Sequence, residues 1–370
     1  MGASFSVRWA IASCPDRGSS ARFFRAAGYG KETPLSASQC NDSAVRRVDT
    51  LRISVTDRCN LRCVYCMPRE GVPLIPCEEI LRYEEILRIV TCGVRLGIRK
   101  LRITGGEPLV RRDVVDLVGA LARIQGVDDL CMTTNGVLLR EFAPKLKAAG
   151  LHRVTVSLDS LRPDRYERIT GSNCLARVLE GIESSLKLGL SPVKINVVLI
   201  RRINDGEIED FAALTERLPL EVRFIERMPA GGAPGVGQGC GDWKGQGIRA
   251  EEVLERIRRA FGGLEPAEAG VKIPGPARLY RLPGGNGRVG VISAVTAPFC
   301  ASCTRVRLTS DGRLRNCLFM EESFDLKELL RSGASDKALE AFLKRAIAAK
   351  PRNHAAPFER GRRPMNQIGG

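Results

Sequence analysis

The chain has 370 residues, with 58 Lys and Arg against 42 Asp and Glu, a formal net charge of +16. A chain this long can bury one large core plus an extension. No apolar run reaches the length that spans a membrane, and so large a cationic excess points to an anionic partner.

Aromatic residues are only 5% of the chain, too few to stack along a single nucleic-acid strand. A phosphorylated small molecule therefore fits the charge better than nucleic acid. Thirteen cysteines in so long a chain do not read as a disulfide framework. Their clustering fits metal binding in a reducing compartment.

Residues 1–46 read as a leader. Arg8, Arg17, Arg22 and Arg25 lie among Ser and Ala with few acids. This composition resembles an organelle transit peptide, with the mitochondrial matrix as the expected address and a plastid or the cytoplasm as alternatives. A basic leader without an address is the plainer possibility.

From Thr50 strand and helix alternate. Strands are expected at Leu51–Val55, Lys100–Thr104, Leu130–Thr134, Arg153–Leu158, Val193–Ile200 and Leu220–Ile225. Helical spacing covers Glu79–Leu96, Asp113–Ile124, a segment ending at Ala149, segments up to Leu188, and Glu207–Glu216. This repetition predicts an α/β fold with a parallel sheet and right-handed crossovers. Six units are too few for a closed eight-fold barrel, so residues 47–229 are expected to form a partial (β/α)6 barrel of the TIM type, open on one side.

Residues 230–247 read as a glycine-rich loop. Residues 248–370 form a C-terminal region. It has a helix near Glu251–Ala260, strands near Leu279–Arg281 and Arg288–Ala294, and a hairpin of Arg305–Leu308 with Arg313–Asn316 around Thr-Ser-Asp-Gly. Helices follow to about Ala349, then a basic tail ending in Gly369-Gly370.

The polar segments fall at the carboxyl ends of the strands, where barrel enzymes keep their active sites. Gly105-Gly106-Glu107-Pro108 follows the second strand, Thr133-Thr134-Asn135-Gly136 ends the third, Ser157-Leu158-Asp159 the fourth and Glu226-Arg227-Met228-Pro229 the sixth. Lys194 and Asn196 are two apart on the fifth and share a face. A lysine on the interior face needs a partner or an anionic ligand.

After the first strand comes Thr-Asp-Arg-Cys59-Asn-Leu-Arg-Cys63-Val-Tyr65-Cys66-Met-Pro, spacing C-x3-C-x2-C. Three thiolates on one short loop can hold three irons of a cubane cluster and leave the fourth open. An open iron can bind a small chelating molecule and pass it an electron, and Tyr65 can shield the cluster or stack on that molecule. This is the pattern of radical S-adenosylmethionine (SAM) enzymes. A zinc site is the competitor, but it needs a fourth ligand. Cys300, Cys303 and Cys317 form a second set, C-x2-C-x13-C, with neither His152 nor His354 near to complete it. Two sets, each one ligand short, favour two open clusters over two zinc sites, although the second set could be structural. Cys14, Cys40, Cys77, Cys92, Cys131, Cys174 and Cys240 read as core or leader thiols.

Taken together, the first cysteine motif, Gly-Gly-Glu-Pro, the run Cys300-Ala-Ser-Cys303-Thr-Arg305-Val306-Arg307-Leu-Thr and the terminal Gly-Gly resemble the GTP 3′,8-cyclase family of molybdenum cofactor biosynthesis, over about residues 46–370. The resemblance implies two [4Fe-4S] clusters at opposite ends of one cavity in a six-fold partial barrel. Cys59, Cys63 and Cys66 would hold the one that chelates SAM, with Tyr65, Gly106, Ser157 and Met228 lining the SAM site. Glycine at 105 and 106 would let backbone approach the methionine end of SAM. Cys300, Cys303 and Cys317 would hold the other, whose open iron binds the guanine of GTP.

Arg52, Arg102, Thr133, Lys194, Arg305, Val306 and Arg307 correspond to positions that bind GTP. Arg305, Arg307, Gly369 and Gly370 correspond to catalytic ones. The implied reaction is radical cyclisation of GTP to 3′,8-cyclo-7,8-dihydro-GTP. The implied partners are an electron donor, a downstream cyclic pyranopterin monophosphate synthase and a second copy in a homodimer, with no nucleic acid and no membrane. The sequence departs from the family at Arg227, where an aromatic is frequent, and in the longer loop that reaches Trp243 late. A radical SAM enzyme that modifies a peptide through an auxiliary cluster is the alternative, and a non-enzymatic metal- or nucleic-acid-binding protein the other.

Overall fold

Six parallel strands form where the alternation predicts them: β1 (Thr50–Ser54), β2 (Lys100–Thr104), β3 (Asp129–Thr134), β4 (Arg153–Ser157), β5 (Val193–Val198) and β6 (Leu220–Ile225), paired in chain order. The computed structural model describes residues 47–228, 247–268, 275–320, 322–351 and 363–369. The expected leader, residues 229–246 with Trp243, and Gly370 lie outside them.

Each strand alternates in character. Leu51, Ile53, Leu101, Ile103, Ile195 and Val197 are at most 1% exposed, on the face turned to the helices. On the opposite face Thr50, Arg52, Lys100, Arg102, Lys194 and Asn196 line a cavity. Parallel strands buried on both faces read as continuous apolar runs. A period of two instead means that one face meets helices and the other encloses something polar.

The outer layer is α1 (Tyr83–Arg95), α2 (Val114–Ala122), α3 (Leu139–Ala148), α4 (Pro163–Thr170), α5 (Leu175–Lys187) and α6 (Ile208–Arg217). Their buried faces carry Ile86, Ile89, Leu117, Leu121, Leu146, Val178 and Phe211. The first helix starts later than its periodicity indicates. Cys77–Glu79 form a short 3-10 turn, the Leu81 N–H donates to the Ser310 carbonyl (2.8 Å), and the Glu85 carboxylate caps the helix from the Arg82 N–H (2.7 Å). A tertiary contact has taken the first turn. The helical stretch before Leu188 is broken at Gly171, whose φ of 76° closes α4 in the left-handed conformation that glycine favours.

The C-terminal region does not stand apart. It contributes α7 (Ala250–Phe261), β7 (Glu265–Pro266), β8 (Arg278–Arg281), β9 (Arg288–Ile292), β10 (Arg305–Leu308), β11 (Arg313–Arg315), β12 (Phe324–Asp325), α8 (Leu326–Arg331), α9 (Asp336–Ala348) and α10 (Met365–Ile368). Strand β9 pairs parallel with β6, and β10 pairs parallel with β1. Eight parallel strands therefore run in the order β10-β1-β2-β3-β4-β5-β6-β9, where six were expected. β9 and β10 do not pair with each other. Antiparallel β8 and β7 edge one side, and β11 and β12 edge the other, so the barrel stays open. No helix among the described residues is long and apolar enough to cross a membrane.

Because β9 and β10 both run parallel to β1, residues 293–304 must descend from the carboxyl ends of the strands to their amino ends. The upper end of this descent is fixed by one buried carboxylate. Glu226, just past β6, accepts from the N–H of Val295 (2.9 Å), Thr296 (2.9 Å) and Ala250 (3.1 Å), and from the Thr296 hydroxyl. A carboxylate suits this position because it only accepts. Glu226→Gln turns an amide NH2 toward N–H donors. We expect it to destabilise the protein by about 2–3 kcal/mol, seen as a lower urea midpoint. An unchanged midpoint contradicts this role.

Candidate active site

The interior face collects like charge by register. Arg307, Arg52 and Arg102 are direct neighbours on β10, β1 and β2. Thr155, Lys194 and Glu221 follow on β4, β5 and β6, with Asn196 beside Arg223 one step higher. Two carboxylates near the strand starts offset part of this charge. Asp129 pairs with Lys100 (3.4 Å) and with Arg153. Glu221 pairs with Lys194 (3.4 Å), with Arg223 and, more loosely, with Arg288 (3.9 Å).

Further up, the guanidinium of Arg102 donates to the hydroxyls of Thr133 (3.1 Å) and Thr155 (3.0 Å). Among the described residues no carboxylate pairs with Arg102, Arg305 or Arg307. Burial, then the neighbouring Arg307 and Arg102, hold Arg52 well below its ordinary value. Burial first, and Arg305 next, bring Arg307 down to about 10. Burial lowers Lys194 to about 7 and Lys100 to about 8. Bringing an anion into this space would relieve every one of these shifts. The cavity measures about 220 Å³ and is also lined by Met228, Phe299, Cys300, Cys303 and Cys317.

The two thiol sets lie at opposite ends of the strands. Cys59, Cys63 and Cys66 follow the carboxyl end of β1. Cys303 precedes the amino end of β10, level with Thr50, and Cys317 follows β11, which runs back down beside β10. The length of β1 alone separates them by roughly 13 Å at the usual rise of a strand.

The first loop is held by acids that the sequence reading did not single out as site residues. Tyr65 donates its hydroxyl to Asp159 Oδ2 (2.5 Å), and Asp159 Oδ1 accepts from the Val198 N–H (2.7 Å). Tyr65 therefore ties the thiol loop to the ends of β4 and β5. Asp57, fully buried, accepts from Ile75 N–H (2.6 Å) and Arg58 Nη1 (3.0 Å). Glu107 accepts from the Thr134 hydroxyl (2.7 Å) and the Asn135 N–H (2.6 Å). Acidic residues directly after strand ends were the available signal.

Gly106 is needed for close approach, but to protein: a Cβ there would lie 2.3 Å from the Arg58 carbonyl oxygen. The glycine seats the Asp57–Arg58 backbone that leads into Cys59. Val306 lies between the two arginines on β10. Its side chain is fully buried in the helix-facing core, so only its backbone can face the cavity. Ser157 pairs with Asn196 on the interior face.

The chain end enters the site. Arg363 pairs with Asp311 (2.9 Å), Asn366 donates its side-chain amide to the Asp57 carbonyl (2.7 Å), and the Asn366 N–H donates to the Cys66 sulfur. The Gly369 carbonyl accepts from Arg307 Nη1 (2.6 Å), and a Cβ at Gly369 would lie 3.2 Å from Ser54 and 3.3 Å from Thr104. Gly370 is outside the described residues.

The thiols differ electrostatically between the two ends. Burial, then Glu107, pushes Cys59 up to about 11. Burial, then Cys59, pushes Cys66 up to about 12. Burial and both other thiols push Cys63 up as well. Each would lose its proton on binding iron. At the other end burial raises Cys303, but Arg305 and Lys350 outweigh it and bring the thiol down to about 7. Among the described residues no three His, Cys, Asp or Glu side chains converge closely enough to hold a single metal ion. The fit to an iron–sulfur cluster rests instead on three soft donors that sense one another across one loop. Arg305 also lies over the Phe299 ring, 4.9 Å from its centroid.

The chain is similar to known proteins along nearly its whole described length. Residues 53–215 match the family model of the Radical SAM superfamily, and residues 220–356 that of Molybdenum Cofactor Synthesis C. A GTP 3′,8-cyclase of Desulforamulus reducens is 49% identical over 331 residues, covering 89% of this chain and 99% of that protein. A GTP 3′,8-cyclase of Geobacter sulfurreducens is 45% identical over 332 residues, with the same coverage. Among solved structures, Streptococcus suis SuiB bound to S-adenosylmethionine has a TM-score of 0.52 at 16% identity, over 81% of this chain and 68% of that one, a likeness of fold.

The buried Asp159 carboxyl carries a pH signature. Burial raises the Asp159 carboxyl from its ordinary 3.8 to about 6. Between those two values the folded chain holds a proton that the unfolded chain has lost, so stability falls as pH rises through that window. Asp159→Asn removes the slope. The stability difference between wild type and variant, followed by thermal unfolding of the cluster-free protein, should change by at most about 3 kcal/mol from pH 4 to pH 6. A difference independent of pH contradicts the assignment.

Proposed function

The chain belongs to the GTP 3′,8-cyclase family of radical SAM enzymes, and we infer from that membership that it cyclises GTP to (8S)-3′,8-cyclo-7,8-dihydroguanosine 5′-triphosphate, the first step of molybdenum cofactor biosynthesis. A [4Fe-4S] cluster and SAM belong to this chemistry. The observation that carries the reading is the cationic interior stretched between two three-thiol sets. The peptide-modifying alternative is less supported: SuiB, solved bound to the precursor peptide SuiA, shares the fold at 16% identity.

Cys59, Cys63 and Cys66 are proposed to hold the cluster that, with SAM, supplies reductive cleavage and hydrogen abstraction. Tyr65, Gly106, Ser157 and Met228 are proposed to shape the SAM side. Tyr65 acts through its bond to Asp159 and Gly106 through the backbone it seats. Cys300, Cys303 and Cys317 are proposed to hold a second [4Fe-4S] cluster against the base of GTP. Arg52, Arg102, Lys194, Arg305 and Arg307, with Thr133 orienting Arg102, are proposed to bind the triphosphate by charge-assisted hydrogen bonds. The carbonyl of Gly369 on Arg307 supports a role for the Gly369-Gly370 end in aligning that arginine.

An electron donor, a downstream synthase that forms cyclic pyranopterin monophosphate and a homodimeric state complete the proposal. The Arg-rich, acid-poor leader supports import into the mitochondrial matrix.

The test is anaerobic incubation of reduced, iron-loaded protein with SAM and GTP. We expect 5′-deoxyadenosine and cyclised GTP to form together, neither of them in Cys59→Ala, Cys63→Ala or Cys66→Ala. Arg307→Ala should weaken GTP binding roughly ten- to a hundred-fold, the worth of one charge-assisted contact, and leave SAM binding unchanged. Formation of 5′-deoxyadenosine without any cyclised GTP would overturn the reading.

A further inference from the structure

Lys350 lies just past the end of α9, 9% exposed, and the sequence reading gave it no part. An ammonium has three donors and no acceptor. Lys350 directs Nζ to the Arg305 carbonyl (2.9 Å) and to the Asn316 carbonyl (2.6 Å), and it also hydrogen-bonds the Cys303 sulfur. The first carbonyl is two residues from Cys303, and the second is one residue from Cys317. One side chain therefore spans both arms of the second thiol set. Lys350 is anchored in turn: its N–H donates to the Ile347 carbonyl (3.1 Å), and Asn316 Nδ2 donates to the Ala346 carbonyl (2.7 Å). The described residues offer Lys350 no carboxylate. Its charge faces the thiols Cys303 and Cys317, with Arg305 adding charge of the same sign.

We propose that Lys350 is the positioning residue of the second cysteine set, fixing its two arms at one spacing and holding a positive charge against the iron–sulfur group bound there. The proposal rests on the reading of Cys300, Cys303 and Cys317 as cluster ligands. A hydrogen bond made to a metal ligand by a neighbouring side chain fixes the ligand's geometry and tunes the metal. A cation touching a ligand sulfur favours the more negative, reduced form of a cluster, so its removal shifts the potential downward.

The experiment uses the full chain carrying Cys59→Ala, Cys63→Ala and Cys66→Ala, so that iron reports the second set alone. Lys350→Met, Lys350→Gln and Lys350→Arg are compared in that background by iron content, by rate of iron loss to a chelator and by redox titration followed by electron paramagnetic resonance. Lys350→Met and Lys350→Gln should lower the midpoint potential and speed iron loss about ten-fold. Lys350→Arg, which keeps the charge, should stay near the parent potential. Circular dichroism checks folding, and Lys350→Gln, which keeps an N–H donor, serves where Lys350→Met does not fold. A retained cluster with an unchanged potential in Lys350→Gln overturns the proposal. A parent background that binds no iron overturns the cluster reading beneath it.

Discussion

Too many buried cations share one small space, and the rest of the structure is organised around that constraint. Arg307, Arg52 and Arg102 stand side by side because three strands pair in register, not because any of them attracts another. Burying unpaired charge is costly unless neighbours or a ligand compensate. Asp129 and Glu221 compensate the cations near the strand starts. Further along, Arg102 and Arg307 have only hydroxyls and a carbonyl. That residue of positive charge is strain with a chemical use, since a polyanion drawn into the barrel removes it.

The open barrel follows from the same constraint. A closed eight-strand barrel fills its interior with packed side chains. Here β9 and β10 flank the six-strand array without meeting, and residues 293–304 pass between them with two of the second set's thiols at the lower end. The thiol sets thereby fall at opposite ends of the cationic cavity. The tail from Arg363 to Gly369 covers part of the distance between them, touching Cys66 near one end and Arg307 in the middle.

Much of this was legible in the chain. The six first strands were visible from the repeated strand–helix pattern, helped by alternation in stretches such as Leu51-Arg52-Ile53 and Leu101-Arg102-Ile103. The two thiol sets were visible from spacing. What was hidden depends on pairing between distant segments. That β9 and β10 extend the barrel, rather than forming a separate module, is a matter of which edges they meet, and four or five residues carry no such address. Val306 was taken with its arginine neighbours, although alternation alone turns it to the core. The ion pair of Lys100 with Asp129 had a usable signal, since charged residues open three successive strands at Lys100, Asp129 and Arg153. Lys350 had none, because its partners, two backbone carbonyls and the Cys303 sulfur, lie more than thirty residues away in the chain.

The central claim is that the buried cations of the barrel, whose charge Asp129 and Glu221 offset only in part, receive the triphosphate of GTP. The most direct measurement is a calorimetric titration of GTP into the anaerobic, iron-loaded protein at pH 8, in buffers of different ionisation enthalpy. Phosphates, with a second pKa of roughly 6, are already ionised there. Lys194, held at about 7, and Lys100, held at about 8, are partly neutral. An anion beside them raises both, so the account predicts net uptake of protons on binding and an affinity that falls as pH rises through 7 to 8. Binding of GTP with no proton uptake would contradict it.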